Sequence, residues 1–268
     1  MGQSTYDLID TALITGGAGG IGRAMAENLI RANKKVIIIG RTESKLQSTA
    51  KEIGATAYYV LDTGKTDQIP SFVQQVTRDH PKLNCLINNA GVQRPFEIPT
   101  SNFTNGSYAF DLAKADQEID INIRGPMHLA ISLLPHFDSL SGPSVIINVS
   151  SVLGFAPTSV INPVYNGTKA WVHFFTTNMR TQLAGNGKLK VVEIVPPTVT
   201  TDLHRERTNP DDNKKENNQA ALGLPEFMEE VERGLEEGQE TISAGTGKKL
   251  VQSWEESMGE YYSKAIAK

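Results

Sequence analysis

The stretch TALITGGAGGIG, residues 11–22, decides how this chain is read. Five glycines fall within the seven positions from Gly16 to Gly22, directly after an apolar run and directly before a helical pattern. Two fingerprints fit. Gly17, Gly19 and Gly22 match G-x-G-x-x-G, while Thr15, Gly16, Gly20 and Gly22 match T-G-x-x-x-G-x-G. Either one lets a strand bend sharply into a helix, so that backbone can approach a pyrophosphate and the helix's free N–H groups and dipole can stabilise it. A glycine-rich turn that only packs a helix on a strand is the alternative. The rest of the chain has to decide.

On both sides of this loop, apolar runs alternate with helical spacing. Ile21, Met25, Leu29 and Ile30 repeat as a helix face does, and KKVIIIG (34–40) is the β-branched run of a strand buried on both sides. A helix from about Glu43, a strand ATAYYVLD (55–62), and a helix from about Thr66 that Pro81 ends come next. KLNCLINNAG (82–91), PSVIINVSS (143–151) and KLKVVEIVPP (188–197) supply three further strands. This order predicts an α/β doubly wound Rossmann fold, a parallel sheet flanked by helices on both faces. No linker divides the chain, so residues 1–268 read as a single dinucleotide-binding and catalytic domain. Residues 93–120 form a long connection, and HRERTNPDDNKKENNQ (204–219) carries four basic and four acidic residues. The latter is a solvated loop or a mobile substrate lid at about 202–223.

Composition narrows the partners. A formal charge of −4 offers no footprint for nucleic acid or an anionic membrane. The lone cysteine, Cys85, lies inside an apolar run, so it reads as a buried structural thiol and fits a reducing compartment. No window approaches a membrane span, and MGQSTYDLID has neither the basic nor the apolar segment of a secretory signal. A cytoplasmic protein without metal ligands is expected.

The chemistry lies downstream. VIIIGRT (36–42) ends with Gly40, Arg41 and Thr42, where NAD selectivity asks for a carboxylate that holds the ribose 2′-hydroxyl. Nothing here repels a 2′-phosphate and Arg41 can pair with one, so NADP is favoured over the alternative of a surface arginine. Tyr165 and Lys169 are four residues apart on one helix face, and Ser151 stands fourteen residues before Tyr165, just past a strand. A phenol has a pKa near 10, and bringing it to about 7 takes roughly 4 kcal/mol. One exposed lysine supplies about 1 kcal/mol or less, and burial alone pushes the wrong way. A partly buried lysine plus a second cation is required, and an oxidised nicotinamide is such a cation. Hydride transfer with proton exchange through Tyr165 joins the dyad to the glycine loop.

With Thr15-Gly16…Gly20-Ile21-Gly22, Asp62, Asn88-Asn89-Ala90-Gly91, Asn122, Ser151, Tyr165, Lys169 and Pro196 to Thr201 in order, the chain resembles the short-chain dehydrogenase/reductase family from about Thr11 to Leu203. EIVPPTVTTDLH and FDLAKADQEIDINIRGP are similar to the DltE-type oxidoreductase subgroup. The resemblance selects the T-G-x-x-x-G-x-G register. It implies Tyr165 as general acid or base, Ser151 polarising the substrate oxygen, and Lys169 holding the nicotinamide ribose and lowering the phenol's pKa. It implies that Asn122 anchors a water in a proton relay, although Asn122 alone reads as a helix hydrogen-bonding residue. Asp62 and Asn89 are implied at the adenosine side, with Ala90, Gly91, Pro196, Val199 and Thr201 along the cofactor. Choosing Ser151 over Ser150 rests on the SVLG match. A homo-oligomer is implied, dimer or tetramer, pairing through helices at about 112–140 and 163–185, with the altered C-terminus favouring a dimer.

Three departures stand out from the family pattern. Pro197 replaces a glycine, Gly19 stands where a basic residue is common, and the usual V-D-G-G ending is missing. Gln93, Phe96, Phe155, Val160 and His204 are candidate walls of a partly apolar substrate pocket. The expected activity interconverts a carbonyl and a secondary alcohol with NADP(H). A non-catalytic NADP(H)-binding sensor is the alternative from another class, and a sugar-nucleotide epimerase would need a longer chain.

Overall fold

The apolar runs become strands covered on both faces. The structure, a computed structural model, describes residues 3–97, 103–104, 107–108 and 111–267. The strands are β1 (Thr11–Thr15), β2 (Lys35–Gly40), β3 (Ala57–Val60), β4 (Leu83–Asn88), β5 (Ser144–Val149), β6 (Leu189–Val195) and β7 (Thr241–Ser243). They pair in parallel in the order β3-β2-β1-β4-β5-β6-β7. Every residue of β1, β4 and β5 is buried, which is why these runs carry no polar alternation.

Besides a single helical turn at Thr5–Leu8, the helices are α1 (Gly20–Arg31), α2 (Glu43–Ile53), α3 (Ile69–Asp79), α4 (Leu112–Ile119), α5 (Gly125–Ser139), α6 (Pro163–Leu183), α7 (Leu224–Glu236), α8 (Gly247–Trp254) and α9 (Glu260–Ile266). Successive strand residues point to opposite faces. Ile14, Ile38, Cys85 and Ile147 meet Met25, Leu29, Leu46 and Phe227 from α1, α2 and α7. Leu13, Ile37, Leu86 and Ile146 meet Phe72, Leu129, Leu133 and Met179 from α3, α5 and α6. Cys85 is thus a packing residue, and burial pushes its thiol far above the ordinary range.

A 3-10 turn, Thr66–Gln68, leads into α3, which stops two residues short of Pro81. Part of the 93–120 connection is helical: α4 starts at Leu112 and runs through a π-helical turn, Asp120–Arg124, into α5. Residues 98–102, 105–106 and 109–110 of that connection lie outside the described residues. The polar 204–219 stretch is tied down by buried Asn213, whose Nδ2 donates to the carbonyls of Val199 (3.0 Å) and Thr201 (3.1 Å). The C-terminal segment lies against α6: Trp254 packs edge-on to His173 at 4.3 Å, and the Tyr262 hydroxyl is 2.9 Å from Thr181 Oγ1.

Two buried asparagines lock the centre of the sheet. Asn148 Oδ1 accepts from Asn88 Nδ2 (2.9 Å) and Asn148 Nδ2 donates to Thr176 Oγ1 (3.0 Å), tying β4 and β5 to α6. At the opposite end, Asn84 Oδ1 accepts from the N–H groups of Asp10 (2.9 Å) and Thr11 (3.2 Å), and its Nδ2 donates to the carbonyls of Leu8 (2.8 Å) and Pro143 (2.9 Å). Each orphaned buried group costs about 1–3 kcal/mol. Asn84→Ala is therefore expected to lower unfolding free energy by about 2–4 kcal/mol in a denaturant titration, and an unchanged midpoint would contradict this account.

Candidate active site

Between β1 and β4 the sheet's connections reverse direction, and a crevice opens at the C-terminal strand ends. One hydroxyl organises its floor. Thr15 Oγ1 accepts from the N–H groups of Asn89 (2.9 Å) and Ala90 (2.8 Å), and Asn89 Nδ2 donates back to the Thr15 carbonyl (2.9 Å). The glycine loop rests on this junction. Gly16 and Gly20 have φ of +67° and +51°, a region costly for any side chain. A Cβ on Gly22 would lie 2.5 Å from the Gly16 carbonyl oxygen and would overlap Asn89. At Gly19 a Cβ would meet only the flexible end of Lys45, at 3.2 Å. The positions that must be glycine are those of T-G-x-x-x-G-x-G, with Gly17 held separately by its contact with Ile38.

From this loop a cavity of about 830 Å³ runs across the sheet edge. Of the residues singled out in the sequence, Gly16, Gly20, Ile21, Arg41, Asn89, Ala90, Gly91, Ser151, Tyr165, Lys169, Pro196, Val199 and Thr201 line it. Thr15, Gly22, Asn122 and Asp62 do not. Thr15 and Gly22 shape the floor from beneath, and Asp62 Oδ1 accepts from the Gly64 N–H (3.0 Å) to close a turn. Lys45 lines the end that holds Arg41 and Thr42. Sequence reasoning missed it; the available signal was a lysine four residues after Arg41 in the first turn of α2.

At the other end stand two hydroxyls and an amine. Pro163 starts α6, whose first turns carry Tyr165 and Lys169, each 5% exposed. Lys169 Nζ donates to the Val149 carbonyl (2.7 Å) and sits 5.6 Å from the centre of the Tyr165 ring. Burial lowers the Lys169 pKa to about 8, against the pull of the Glu118 and Glu193 carboxylates. Ser151 caps the single turn Val152–Gly154 and hydrogen-bonds the Tyr165 phenol. Gly154 permits that meeting, because a Cβ there would come within 2.6 Å of the Lys169 carbonyl oxygen. Burial pushes the phenol well above its usual pKa, Glu118 pushes it further, and Ser151 and Arg207 pull it back. Ser150 instead bonds the Ile194 carbonyl through its N–H (2.9 Å) and hydroxyl (3.4 Å).

Beneath the dyad, Asn122 sits in the π-helical turn. Its Oδ1 accepts from the Val92 N–H (2.9 Å), and its Nδ2 donates to the Val92 carbonyl (2.9 Å) and Thr168 Oγ1 (3.1 Å). Its side chain is engaged as a clamp on the strand-to-loop exit. Glu118, unanticipated from sequence, is buried close by, and burial raises its carboxyl to about 7 while Arg94 and Lys169 oppose the rise.

This end of the cavity is mixed, with Val152, Leu153 and Leu203 beside polar side chains. Gln93, Thr158, Ser159, His204, Arg207 and Asp212 line it. Asp212 receives hydrogen bonds from Arg207 Nη1 (2.5 Å) and His204 Nδ1, and Arg207 Nη2 donates to Gln93 Oε1 (2.8 Å). The apolar wall expected from Phe155, Val160 and Phe96 is absent. Phe155 packs on His173 (4.1 Å), Val160 is 83% exposed, and Phe96 does not face the cavity. Among the described residues, no group of three His, Cys, Asp or Glu is placed to hold a metal ion.

The chain is similar in sequence and fold to known proteins. The family model for short chain dehydrogenase matches residues 10–212. The "Uncharacterized oxidoreductase DltE" of Bacillus subtilis is 31% identical over 235 residues, 87% of each chain. An uncharacterized oxidoreductase of Staphylococcus aureus is 31% identical over 206 residues, covering 76% of this chain and 84% of the other. Among solved structures, a short-chain dehydrogenase from Sphingobium yanoikuyae in complex with NADPH superposes with a TM-score of 0.73 at 23% identity, covering 88% of this chain and 87% of that one. The 3-ketoacyl-(acyl-carrier-protein) reductase from Brucella melitensis, complexed with NADH, gives 0.73 at 25% identity, covering 89% and 98%. By motif, fold and relatives alike, this chain belongs to the short-chain dehydrogenase family of oxidoreductases, on its DltE-like branch.

Proposed function

We propose that this protein is an NADP(H)-dependent oxidoreductase that interconverts a carbonyl and a secondary alcohol, with Tyr165 as general acid and base. The observation that carries this reading is one continuous cavity. Its glycine loop, Arg41 and Lys45 stand at one end, and Ser151, Tyr165 and Lys169 at the other. The loop fits a dinucleotide because Gly16, Gly20 and Gly22 leave a cradle that any Cβ would fill or strain. Arg41 and Lys45 offer two cations, and the lining residues around them, Gly40, Thr42 and Leu46, include no carboxylate, which favours a ribose 2′-phosphate. Asn89, Ala90, Gly91, Pro196, Val199 and Thr201 would line the cofactor's path, and Asp62 would act only through the turn it closes.

When bound, the dinucleotide supplies the hydride and, in its oxidised form, a positive charge. The chain's own residues handle the proton. Ser151 donates a hydrogen bond to the substrate oxygen and orients it beside the phenol. In reduction Tyr165, whose burial keeps its proton on at neutral pH, gives that proton to the oxygen as negative charge develops there. Lys169, pinned by the Val149 carbonyl, keeps its ammonium beside the resulting phenolate and stabilises it. Asn122 fixes the Val92 backbone beneath this group and would hold a relay water near Lys169.

The 202–223 segment reads as a lid, with the rest of the chain forming a single catalytic domain. Its Arg207 and His204 converge on Asp212 at the mouth of the site. α5 and α6 present exposed Ile131 and Phe174, the surface on which we place a homodimer. No helix of the described residues is long and apolar enough to cross a membrane, and with a single buried thiol a cytoplasmic location is proposed.

NADPH and NADH oxidation should be followed with a panel of aldehydes, ketones, quinones and keto-sugars. Tyr165→Phe is expected to lower kcat by about 10²–10⁴-fold while NADPH still binds. Tight NADPH binding with no turnover anywhere in the panel would replace this reading with a cofactor sensor. Removing both cations in Arg41→Ala/Lys45→Ala should raise the KM for NADPH by about 10–100-fold, the value of a charge-assisted contact, and leave the KM for NADH unchanged. Equal losses with both cofactors would contradict the assignment of the 2′-phosphate site.

A further inference from the structure

Glu118 is a buried carboxyl for which the chemistry above has no use. It is 1% exposed, lies near the end of α4 about one turn before Asn122, and leaves Oε1 without a hydrogen-bond partner. Its other support is the Arg94 backbone N–H, which donates to the carboxyl. No side chain among the described residues pairs with it as an ion. The Arg94 guanidinium is taken by Glu206 (3.0 Å), Gln117 (2.7 Å) and the Lys114 carbonyl (3.0 Å), and the Lys169 ammonium by the Val149 carbonyl (2.7 Å). A buried carboxylate without an ion partner is a costly way to fill space, and an apolar residue would pack there at less cost. Its electrostatic neighbours are informative. They are Tyr165 and Lys169 from α6, Arg94 from the loop after β4, and Glu206 from the 202–223 segment. Gly91 places Asn122, one turn beyond Glu118, close to Lys169: a Cβ on it would lie 3.3 Å from Asn122 Oδ1 and 3.8 Å from Lys169 Nζ.

Resting on the oxidoreductase reading, we propose that Glu118 is an internal proton store that recharges Tyr165 by way of Lys169. In reduction, hydride addition leaves an electron pair on the substrate oxygen, and the Tyr165 O–H bond breaks to give that oxygen its proton. Through water in the space between them, the phenolate then takes a proton from the Lys169 ammonium and the Lys169 amine takes one from the Glu118 carboxyl, with which it has no direct contact. The Glu118 carboxylate regains its proton from solvent between turnovers. Oxidation runs the same transfers in reverse. Glu118 touches none of the reacting atoms and acts through Lys169 and Tyr165, so it is a positioning residue for the proton.

The test is Glu118→Gln, which keeps size and shape, with Glu118→Asp alongside it. The assay uses NADPH and the carbonyl compound that the panel identifies. Glu118→Gln is expected to lower kcat by about 10–100-fold, at or below the contribution of a direct general acid, with both KM values unchanged. Because the carboxyl must hold its proton, wild-type kcat for reduction should fall as pH rises through about 7. That inflection should vanish in Glu118→Gln and persist in Glu118→Asp. Two readouts need no turnover. Carbon-13 carboxyl spectra should show one resonance titrating near pH 7 in the wild type and none there in the glutamine variant. The wild-type Tm, relative to that variant, should also drop as pH rises from about 4.5 to about 7, because the native carboxyl keeps a proton that the unfolded chain has released. An unchanged kcat and inflection in Glu118→Gln would overturn the relay, as would a kcat loss with the inflection intact and both KM values raised. If the wild type turned over nothing in the panel, the oxidoreductase reading would fail and the relay with it. Wild-type turnover beside an unaffected variant sinks the relay alone.

Discussion

The structure depends on one hydroxyl at a fork. Thr15 closes β1, and its Oγ1 takes two consecutive backbone N–H groups from the end of β4, at Asn89 and Ala90. Parallel strands have no hairpin to hold their ends together, and this pair lies where the sheet's connections change direction. Tying the two exits together sets the width of the crevice. The glycines follow from that width. With Asn89 bonded back to the Thr15 carbonyl, no room remains for a Cβ on Gly22, and the loop must pass through positive φ at Gly16 and Gly20. Polar satisfaction and steric exclusion thus act on the same few atoms.

The opposite end of the cavity is held by a different economy, that of buried charge. Lys169 lies under the site with one direct acceptor, the Val149 carbonyl, and two carboxylates, Glu118 and Glu193, within electrostatic range. Glu193 is itself bonded to His173 (2.9 Å), which Phe155 and Trp254 enclose. In a low-dielectric setting these interactions act over longer distances than they would in water. The aligned helix cannot shift without breaking the Asn88–Asn148–Thr176 ladder that fastens it to the sheet. The dyad is held by these bonded surroundings, among which Glu118 keeps an open oxygen on a group that can carry charge.

Covering the site falls to polar residues. Arg207, His204, Asp212 and Gln93 form one connected network at the mouth, and Arg94 reaches from the same side to Glu206. Burial holds the His204 imidazole below its usual pKa although Asp212 pulls it upward. A segment fastened by side-chain hydrogen bonds rather than apolar packing can be released at modest cost, which suits the lid proposed for it. The C-terminal segment contributes at a distance, since Gly247 packs against Val152 and Pro197, both on the cavity's lining.

The sequence by itself determined the doubly wound sheet, because runs buried on both faces and helical periodicities are set by local spacing and burial. It also singled out Ser151, Tyr165 and Lys169, whose chemistry and spacing are local. It did not determine which of the five clustered glycines are indispensable; that required the Asn89 side chain and the Gly16 carbonyl, contacts made across the fold. Lys45, near Arg41 in sequence, was hidden because only the packing of α2 beside the glycine loop, where its Nζ lies near Gly19, turns it into the cavity. The make-up of the cavity wall was partly hidden because Phe155, apolar and near Ser151 in sequence, turns away to pack on His173. Glu118 was hidden for the plainest reason: in sequence it is one of many charges on an amphipathic helix, and only tertiary packing takes it out of water and brings it within electrostatic range of Lys169.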